Sequence, residues 1–431
     1  MNIGSVVLVA GMVGCALLLP ISAVESAQFR ETVLYSFCSE QNCADGAAPF
    51  ASLINVNGVL YGTTMDGGVH GEGGGTVFAF DPKTGAHNVL YSFCGEKHCA
   101  DGRNPLASLI DVKGTLYGTA SAGGTHRQGA VFALDPNTGA EKALYSFCSE
   151  DNCTDGFFPW GSLIDVKGAL YGTTSLGGLH EAGAVVAVDP KTGVEKVLHS
   201  FCSQEHCTDG GIPLDNLIDI NGTMYGTTFS GGAVDEGAVF AIDPDTGAES
   251  VIYSFCKQKY CPDGDGPEDG LLDLNGVFYG TTEFGGAYGY GTVFAIDPNT
   301  GVETVVYSFC VQKYCADGYG PIGGLIDVNG MFYGTTLSGG AHEKGTVFAI
   351  DPNTDAETVV YSFCKAKNCP DGSEPEAGLI DVKGVLYGTT VSGGSENGGT
   401  VFALMTKRQA SLDRRFTFAI FVPRARFPFG M

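Results

Sequence analysis

Basic residues are scarce in this chain. Its 431 residues include 23 Lys and Arg against 48 Asp and Glu, which gives a formal net charge of −25 at pH 7. A chain this acidic is repelled by the phosphates of nucleic acids and by anionic membrane surfaces. The composition therefore argues against both as partners, and we interpret the excess negative charge chiefly as a source of solubility.

Long hydrophobic stretches are lacking as well. The apolar run at residues 6–19 is of secretory length but short of a full membrane span, and Pro20 and small residues follow it. We predict that residues 1–26 are a signal peptide and that the mature chain has no stable membrane span. Residues 406–431 are basic and aromatic and carry no repeat signature. We predict a flexible tail there.

Sequence motifs of known enzyme chemistry are also missing. We find no Ser/His/Asp grouping, no zincin motif and no phosphate-binding loop. The absence of these motifs does not exclude hydrolases that use two carboxylates far apart in the sequence, because such pairs leave no pattern in a sequence. An enzyme of that kind therefore stays an alternative.

Seven repeats occupy most of the chain. One copy, residues 325–364, reads LIDVNGMFYGTTLSGGAHEKGTVFAIDPNTDAETVVYSFC. We predict four short strands in each copy, with a tight Asn-Gly or Lys-Gly turn between the first two. Val359, Tyr361 and Phe363 are expected on one face of the fourth strand, since side chains alternate along a strand. No repeat has the apolar spacing of a helix.

The two ends of the repeat region are incomplete in complementary ways. Residues 31–37 match the end of a repeat, whereas residues 379–404 match its first three strands. The first cysteines of successive repeats are 54 residues apart after an initial step of 56, and four-stranded units of this size indicate a propeller. We predict an all-β fold, a seven-bladed β-propeller over residues 30–405. Each blade has four antiparallel strands, and the N-terminal strand closes the last blade.

Fourteen of the fifteen cysteines form seven C-x4-C pairs. An even count in a repeated, exported framework indicates disulfides, whereas thiolate metal sites usually need two paired knuckles, commonly C-x2-C. We predict one disulfide in each inter-blade loop and an extracytoplasmic protein, whether secreted, periplasmic or at the cell surface. The predicted pairs are Cys38–Cys43, Cys94–Cys99, Cys148–Cys153, Cys202–Cys207, Cys256–Cys261, Cys310–Cys315 and Cys364–Cys369.

The motifs (L/V)YSFC, LIDVNGxxYGTT and GTVFAIDPxTG resemble the tandem repeat of the choice-of-anchor GloVer-containing family of exported bacterial proteins, over about residues 31–405. The resemblance implies a secreted or surface-displayed repeat protein without an assigned activity. Members of the family differ in their anchors. This chain shows neither an LPxTG-like sorting motif nor a basic-ended C-terminal membrane helix, so its mode of attachment stays open.

The GTVFAIDPxTG segment is also similar to part of the repeat of quinoprotein dehydrogenases. Those propellers have a recurring Trp in each blade, whereas this chain has Trp160 alone. We therefore expect no quinone cofactor.

Polar residues recur at three positions of the repeat. Four histidines share one position of the Gly-rich loop; we consider them candidate contacts of a ligand face, although exposed loop residues are the simpler interpretation: His70, His126, His180 and His342. An Asp that precedes Gly after each second Cys is expected to cap a turn: Asp45, Asp101, Asp155, Asp209, Asp263, Asp317 and Asp371. An Asn or Asp in each first strand is expected to line a wet channel: Asn55, Asp111, Asp165, Asp219, Asp273, Asp327 and Asp381.

These patterns favour a non-enzymatic binding scaffold that uses its loop face for an extracellular glycan or protein. The alternative is a lyase or hydrolase that acts on an extracellular polymer from the same face. We expect a monomer without a cofactor. The one possible exception is Ca²⁺, for which the acidic loop at residues 263–269 offers oxygen ligands.

The predicted disulfides can be tested by peptide mapping of protein purified from its native compartment. Non-reduced digests should contain Cys310 joined to Cys315, and the other six pairs should be joined in the same way. Each bridge closes a short loop and contributes about 2 kcal/mol in the chain-entropy model. Free thiols at these positions would contradict both the disulfides and the extracytoplasmic location.

Overall fold

The computed structural model describes residues 29–71 and 73–406, which form seven four-stranded antiparallel sheets. The sheets are the blades of a β-propeller, as predicted, and first strands such as Ile54–Val56 and Ile380–Val382 contact each other at the centre. No helix in these two ranges is long and apolar enough to cross a membrane. The predicted signal peptide and tail lie outside the described residues, apart from Thr406.

Each blade uses its strands in chain order from the centre outward, except that the chain begins with the outer strand of blade 7, β1 (Phe29–Ser36). Blade 1 contains β2 (Ile54–Val56), β3 (Val59–Thr64), β4 (Thr76–Asp81) and β5 (Ala86–Ser92). Blade 2 contains β6 (Ile110–Val112), β7 (Thr115–Ala120), β8 (Ala130–Leu134) and β9 (Glu141–Ser146). Blade 3 contains β10 (Ile164–Val166), β11 (Ala169–Thr174), β12 (Ala184–Val188) and β13 (Glu195–Ser200).

The remaining blades repeat this plan. Blade 4 contains β14 (Ile218–Ile220), β15 (Thr223–Thr228), β16 (Ala238–Ile242) and β17 (Glu249–Ser254). Blade 5 contains β18 (Leu272–Leu274), β19 (Val277–Thr282), β20 (Thr292–Asp297) and β21 (Val302–Ser308). Blade 6 contains β22 (Ile326–Val328), β23 (Met331–Thr336), β24 (Thr346–Asp351) and β25 (Ala356–Ser362). Blade 7 contains β26 (Ile380–Val382), β27 (Val385–Thr390), β28 (Thr400–Thr406) and β1.

Single 3₁₀ turns lie in the cysteine loops that follow the outer strands. They span Gln41–Cys43, Lys97–Cys99, Asp151–Cys153, Glu205–Cys207 and Lys313–Cys315.

The hairpin between the first two strands has the predicted geometry. Asn329 and Gly330 both have positive φ, 57° and 82°, which the two central positions of this tight turn require. The Gly330 N–H also donates to the side chain of Asp327, at 2.8 Å. All seven Asn or Asp residues of the first strands make this bond and are exposed. Their polar side chains are therefore both hydrated and hydrogen-bonded, which agrees with wet surroundings.

Apolar side chains fill the spaces between blades. In one such cluster Val293 and Phe309 of blade 5 pack against Phe332 and Phe348 of blade 6. The glycine of the YGTT motif allows this packing, because a Cβ on Gly334 would lie 2.5 Å from the Phe348 ring. The core of the protein thus belongs to pairs of blades and not to single blades.

The expected alternation of the fourth strand is wrong. A β-bulge shifts the register between β24 and β25, so that Tyr361 pairs with Val347 whereas Val359 pairs with Phe348. Val359 therefore points away from Tyr361, and Val360 joins Tyr361 in the same buried cluster. The bulge recurs in all seven blades.

The seven Asp residues after the second cysteines cap turns, as expected. Asp45 accepts hydrogen bonds from the backbone N–H groups of Ser39 and Glu40, and from the hydroxyl of Tyr35 at 2.7 Å. The other six make at least one of these backbone contacts. No ligand is needed to account for them.

A second carboxyl group, from the next blade, reaches the same tyrosine at most junctions between blades. The Tyr253 hydroxyl lies 2.8 Å from Asp263 and 3.2 Å from Glu303. A hydroxyl has one proton to donate, so a protonated Glu303 that donates to the tyrosine satisfies all three groups. Burial accordingly raises the pKa of Glu303 to about 7. Burial also raises the pKa of five equivalent residues to about 7 or 8: Glu31, Glu141, Glu195, Glu249 and Glu357.

The ring is closed by β1, as predicted. It pairs with β28 from Phe29 opposite Thr406 to Ser36 opposite Thr400. Across the two junctions of blade 7, Glu31 lies 3.1 Å from the Tyr361 hydroxyl, and Thr389 donates to the carbonyl of Ala51 at 3.3 Å. The strand pairing of blade 7 and its bond to Tyr361 therefore both depend on β1.

Removal of residues 29–38 tests the closure. The shortened protein should lose solubility and melt at a clearly lower temperature, because β28 becomes an unpaired edge. A variant that lacks residues 407–431 and keeps every described strand is the control. A shortened protein as monomeric and as stable as this control would refute the closure.

The inter-blade glutamates predict a stability that falls as the pH rises. A folded-state pKa near 7, above the ordinary 4.5, means that their contribution is complete below about pH 4.5 and is lost as the pH passes through 7. Glu303→Gln should therefore raise the melting temperature at pH 8 and leave it unchanged at pH 4.5. After screening of this half-buried group is allowed for, we expect about 1–2 °C. The exposed Glu343→Gln should change neither value; equal shifts for both variants would contradict the explanation.

Candidate functional site

The cysteine loops and the Gly-rich loops open on the same side of the propeller, which we call the loop face. The Gly68 N–H of blade 1 donates to the Cys43 carbonyl of the preceding blade at 2.9 Å, and Ala47 forms a bridge with Asp66. Each cysteine loop is thus hydrogen-bonded to the Gly-rich loop of the next blade.

The structure joins all seven predicted cysteine pairs as disulfides. Within the described ranges, one group of three potential metal ligands comes together, namely Glu236, Cys256 and Cys261. Because these two cysteines form a disulfide, they are not thiolate donors. The cysteines therefore act in the stability of the loops.

The four predicted histidines lie on the loop face and are exposed. They belong to four different loops, on blades 1, 2, 3 and 6. His126 contacts the carbonyl of Ser146 in its own blade at 3.4 Å, and none of the four belongs to the metal-ligand group found among the described residues. Their role as ligand contacts stays a prediction.

Where the cysteine loops turn into the innermost strands, one residue of each repeat lines the entrance of the central channel. We call this entrance the channel mouth; its ring consists of Phe50, Leu106, Trp160, Leu214, Glu268, Ile322 and Glu376. The mouth contains a narrow cavity of about 80 Å³. Unlike the rest of the blade, this ring has no common residue type, so it is a place where the seven-fold symmetry breaks.

One arc of the mouth is apolar. It consists of four successive ring positions, Phe50, Leu106, Trp160 and Leu214. The Trp160 indole contacts Phe50 edge to face at 5.8 Å and a further ring, that of Phe158, at 5.6 Å. An aromatic surface is thus held in place at the mouth by its neighbours.

The other arc, which consists of Glu268, Ile322 and Glu376, carries the acidic residues. Glu268 and Glu376 lie in the ring, and Asp215 and Asp269 lie one residue further along the chain in their repeats. Burial, together with the nearby charge of Glu283, raises the pKa of Glu268 to about 8; burial, together with the charges of Glu374 and Glu283, raises that of Glu376 to about 7. None of the residues that line the mouth is Lys or Arg.

Two glycines make room for the aspartates. Two residues after the ring residue, blade 3 carries Ser162 and blade 4 carries Asn216. The side chain of each accepts a backbone N–H from the preceding blade, at 2.9 and 2.6 Å. In blades 5 and 6 this position is glycine, where a Cβ would lie 3.1 Å from the Asp215 carboxylate and 2.8 Å from that of Asp269. An aspartate in place of a neutral residue in one blade is therefore accommodated by a glycine in place of a larger residue in the next blade.

Asp215, which is buried, and Asp269, which is partly buried, form a carboxyl pair. Asp215 is 6% exposed, and its carboxyl lies within hydrogen-bonding reach of that of Asp269. Burial raises the pKa of both groups; the charge of Asp269 raises that of Asp215 further, whereas the hydrogen bond from Asp215 partly offsets the rise at Asp269. The other acids of this loop pair elsewhere, Asp265 with Glu236 and Glu268 with Glu283.

A second departure from symmetry is the Gly-rich loop of blade 5. Phe284, Tyr288 and Tyr290 are 43%, 51% and 44% exposed, whereas the six corresponding loops contain one aromatic residue of this kind, Phe229, which is only partly exposed. The Tyr290 ring packs against Tyr319 of the next cysteine loop at 5.4 Å. We call these four residues the aromatic platform.

The sequence singled out Trp160 and the acidic loop separately but did not place them together. A comparison of the seven Gly-rich loops would have revealed the platform, because its aromatic content is visible in the sequence. The contact of Asp215 with Asp269 has no such signal, since 54 residues separate them and only ring geometry brings them together.

Comparison with solved structures supports the propeller fold. The extracellular domain of a protein described as a hybrid two-component system from B. thetaiotaomicron aligns with a TM-score of 0.54 at 14% identity, over 87% of this chain. This chain spans 42% of that domain. Oligogalacturonate lyase from Vibrio parahaemolyticus gives 0.51 at 10% identity, over 88% and 97% of the two chains. A europium-containing methanol dehydrogenase gives 0.50 at 14%, over 87% and 93%. At these identities the likeness concerns the fold alone.

No curated protein matches the sequence. A family model does: the Gloeobacter/Verrucomicrobia repeat matches residues 21–218 and again 203–402. Together the two matches include all seven blades, which agrees with the resemblance carried by the repeat motifs. The chain therefore belongs to the Gloeobacter/Verrucomicrobia repeat family.

Proposed function

We propose that this protein is an extracytoplasmic, non-enzymatic binding protein that holds a glycan on its loop face. The aromatic platform of blade 5, Phe284, Tyr288, Tyr290 and Tyr319, is the binding surface. The observation that carries the proposal is the concentration of three exposed aromatic side chains in one loop whose six counterparts have none.

Exposed aromatic rings suit sugars for a physical reason. The C–H face of a pyranose ring is apolar and packs on the flat face of Tyr or Phe, while its hydroxyl groups remain in water or reach nearby polar groups. Tyr loses little conformational entropy on binding and offers a hydroxyl at the end of the ring. The 5.4 Å contact between Tyr290 and Tyr319 orders two of the rings before any ligand arrives.

The charge of the protein narrows the class of glycan. With a formal net charge of −25, and with Glu283 directly before Phe284, the platform repels polyanions such as uronate polymers. A neutral or amino-substituted glycan is therefore the expected ligand.

The disulfides support the extracytoplasmic part of the proposal. Disulfides persist in oxidising compartments and are rare in a reducing cytosol. Seven bridges, one in each cysteine loop of the loop face, are difficult to maintain where thiols are kept reduced.

A glycan array with the purified protein, followed by titration of the bound oligosaccharides, tests the proposal. Tyr288→Ala and Tyr290→Ala should each weaken binding about tenfold, because stacking on one aromatic ring contributes on the order of 1 kcal/mol beyond its buried area. Leu179→Ala removes an apolar side chain that is 70% exposed on the equivalent loop of blade 3 and should have no effect.

The same oligosaccharides should be recovered intact after long incubation. Shorter or unsaturated fragments that depend on the protein would favour the polymer-acting lyase or hydrolase instead. Binding that survives both tyrosine substitutions would refute the platform as the site.

A further inference from the structure

We propose that the channel mouth is a second binding site, which takes an organic cation: an ammonium or guanidinium group on an apolar stem. Asp215 and Asp269 bind the charged head, and the arc of Phe50 and Trp160 contacts the stem. This inference goes beyond the glycan proposal and shares no residue with it.

The first support is a buried acceptor that lacks a donor. Asp215 is 6% exposed, and none of the described residues donates a hydrogen bond to its Oδ2. Its partner group is another carboxyl, that of Asp269. Buried acceptors without donors are rare, because each costs about 1–3 kcal/mol. Asp269 Oδ1 already accepts the N–H of Gly270 at 2.6 Å, so a bound ammonium or guanidinium supplies the donor that Asp215 Oδ2 lacks and can contact both carboxyls.

The second support is the absence of a counter-charge in the lining of the mouth. Besides the two aspartates, Glu268 and Glu376 line the cavity and Glu283 contacts Glu268, while no Lys or Arg lines it. Burial raises the pKa of Glu268, Glu283 and Glu376, because no cation among the described residues stabilises their ionised forms, and a bound cation would supply that stabilisation. Field lines concentrate in such a cleft and attract a cation.

The third support decides between an organic cation and a bare metal ion. Ca²⁺ requires six to eight oxygen ligands and Mg²⁺ an octahedral set. The described acids of the mouth approach each other in pairs and do not bring three ligand atoms together. The opposite arc is apolar and aromatic, which disfavours a hydrated metal ion. An aromatic face does favour an organic cation, through cation–π attraction and through burial of its stem.

Trp160 makes the site directly observable. It is the single tryptophan of the chain and lies in the apolar arc, so the intrinsic fluorescence of the whole protein reports on the mouth. The cavity of about 80 Å³ admits an ammonium head with a short stem. No label and no truncation are needed.

The experiment titrates the full disulfide-bonded protein, in an amine-free buffer, with phenethylammonium and with its neutral isostere 2-phenylethanol. Phenethylammonium should change the Trp160 emission saturably, and 2-phenylethanol should bind at least about tenfold more weakly, because charge-assisted hydrogen bonds are the stronger part of the contact. Asp215→Asn and Asp269→Asn should each lower the affinity for phenethylammonium about tenfold. Glu376→Gln, which removes a charge at the rim of the mouth, should lower it by a smaller factor.

The matched control is Asp327→Asn. This residue belongs to the exposed acids of the first strands, where blade 1 carries Asn55 naturally, so the substitution removes one charge without loss of the turn. It should leave binding unchanged. Tyr290→Ala should also leave amine binding unchanged, which separates failure of this proposal from failure of the glycan proposal. Melting curves of every variant show whether it is folded. If an aspartate variant does not fold, Glu376→Gln still tests the contribution of the acidic residues to amine binding.

A lysine peptide and its norleucine counterpart distinguish the source of the cation. Saturable binding of the lysine peptide alone supports the site and identifies a protein side chain as its ligand. Saturable binding of both the peptide and the free amine supports the site and identifies a small amine as its ligand. Three results would overturn the proposal: no saturable response to either cation, equal affinity for 2-phenylethanol, or a response to CaCl₂ that depends on Asp215 and displaces the amine.

Discussion

A blade of this protein has two apolar faces and can bury them only against other blades. The clusters that hold Phe309 beside Phe348, or Phe37 beside Phe78, each draw their members from two neighbouring sheets. Every blade therefore needs a neighbour on both sides, and a ring is the arrangement that supplies one to all seven. The remaining features follow from this requirement: the glycine under each Phe ring, the hydrogen bonds from loop to next loop, and the strand borrowed from the start of the chain to complete blade 7.

The same requirement explains where the protein can differ from blade to blade. Positions that face a neighbouring sheet must keep their size, so Leu, Val and Phe recur there with little change. Residues at the channel mouth and at the tips of the loops face solvent or the axis and are free of this limit. The acidic arc shows that even there the changes are linked, since Asp215 and Asp269 occupy space that glycines in the next blade leave open. The aromatic platform and the channel mouth can thus coexist on a nearly symmetric scaffold without disturbing its core.

Much of the architecture could be predicted from the sequence, because it depends on short motifs that recur in each repeat. The Asn-Gly turns, the pairing of Cys310 with Cys315 and the complementary ends are all visible without coordinates. The bulge beside Val359 was not foreseen, since alternation is the default for a strand and nothing in ETVVYSF marks the extra residue. From the sequence, the residues of the mouth were recognised only as separate departures from the repeat pattern, namely Trp160 and the acidic loop. A sequence orders residues along the chain, whereas the mouth is an arrangement around an axis.

The pairing of Phe29 with Thr406 has a consequence for orientation. Strand β1 runs toward the cysteine loop that begins at Cys38, and β28 runs in the opposite sense from Gly399. Both ends of the described chain therefore leave the propeller side by side, on the surface opposite the loop face. A tether joined to either end would hold the disc flat with its hairpin turns toward the support, and would display the aromatic platform and the channel mouth outward to the surrounding medium.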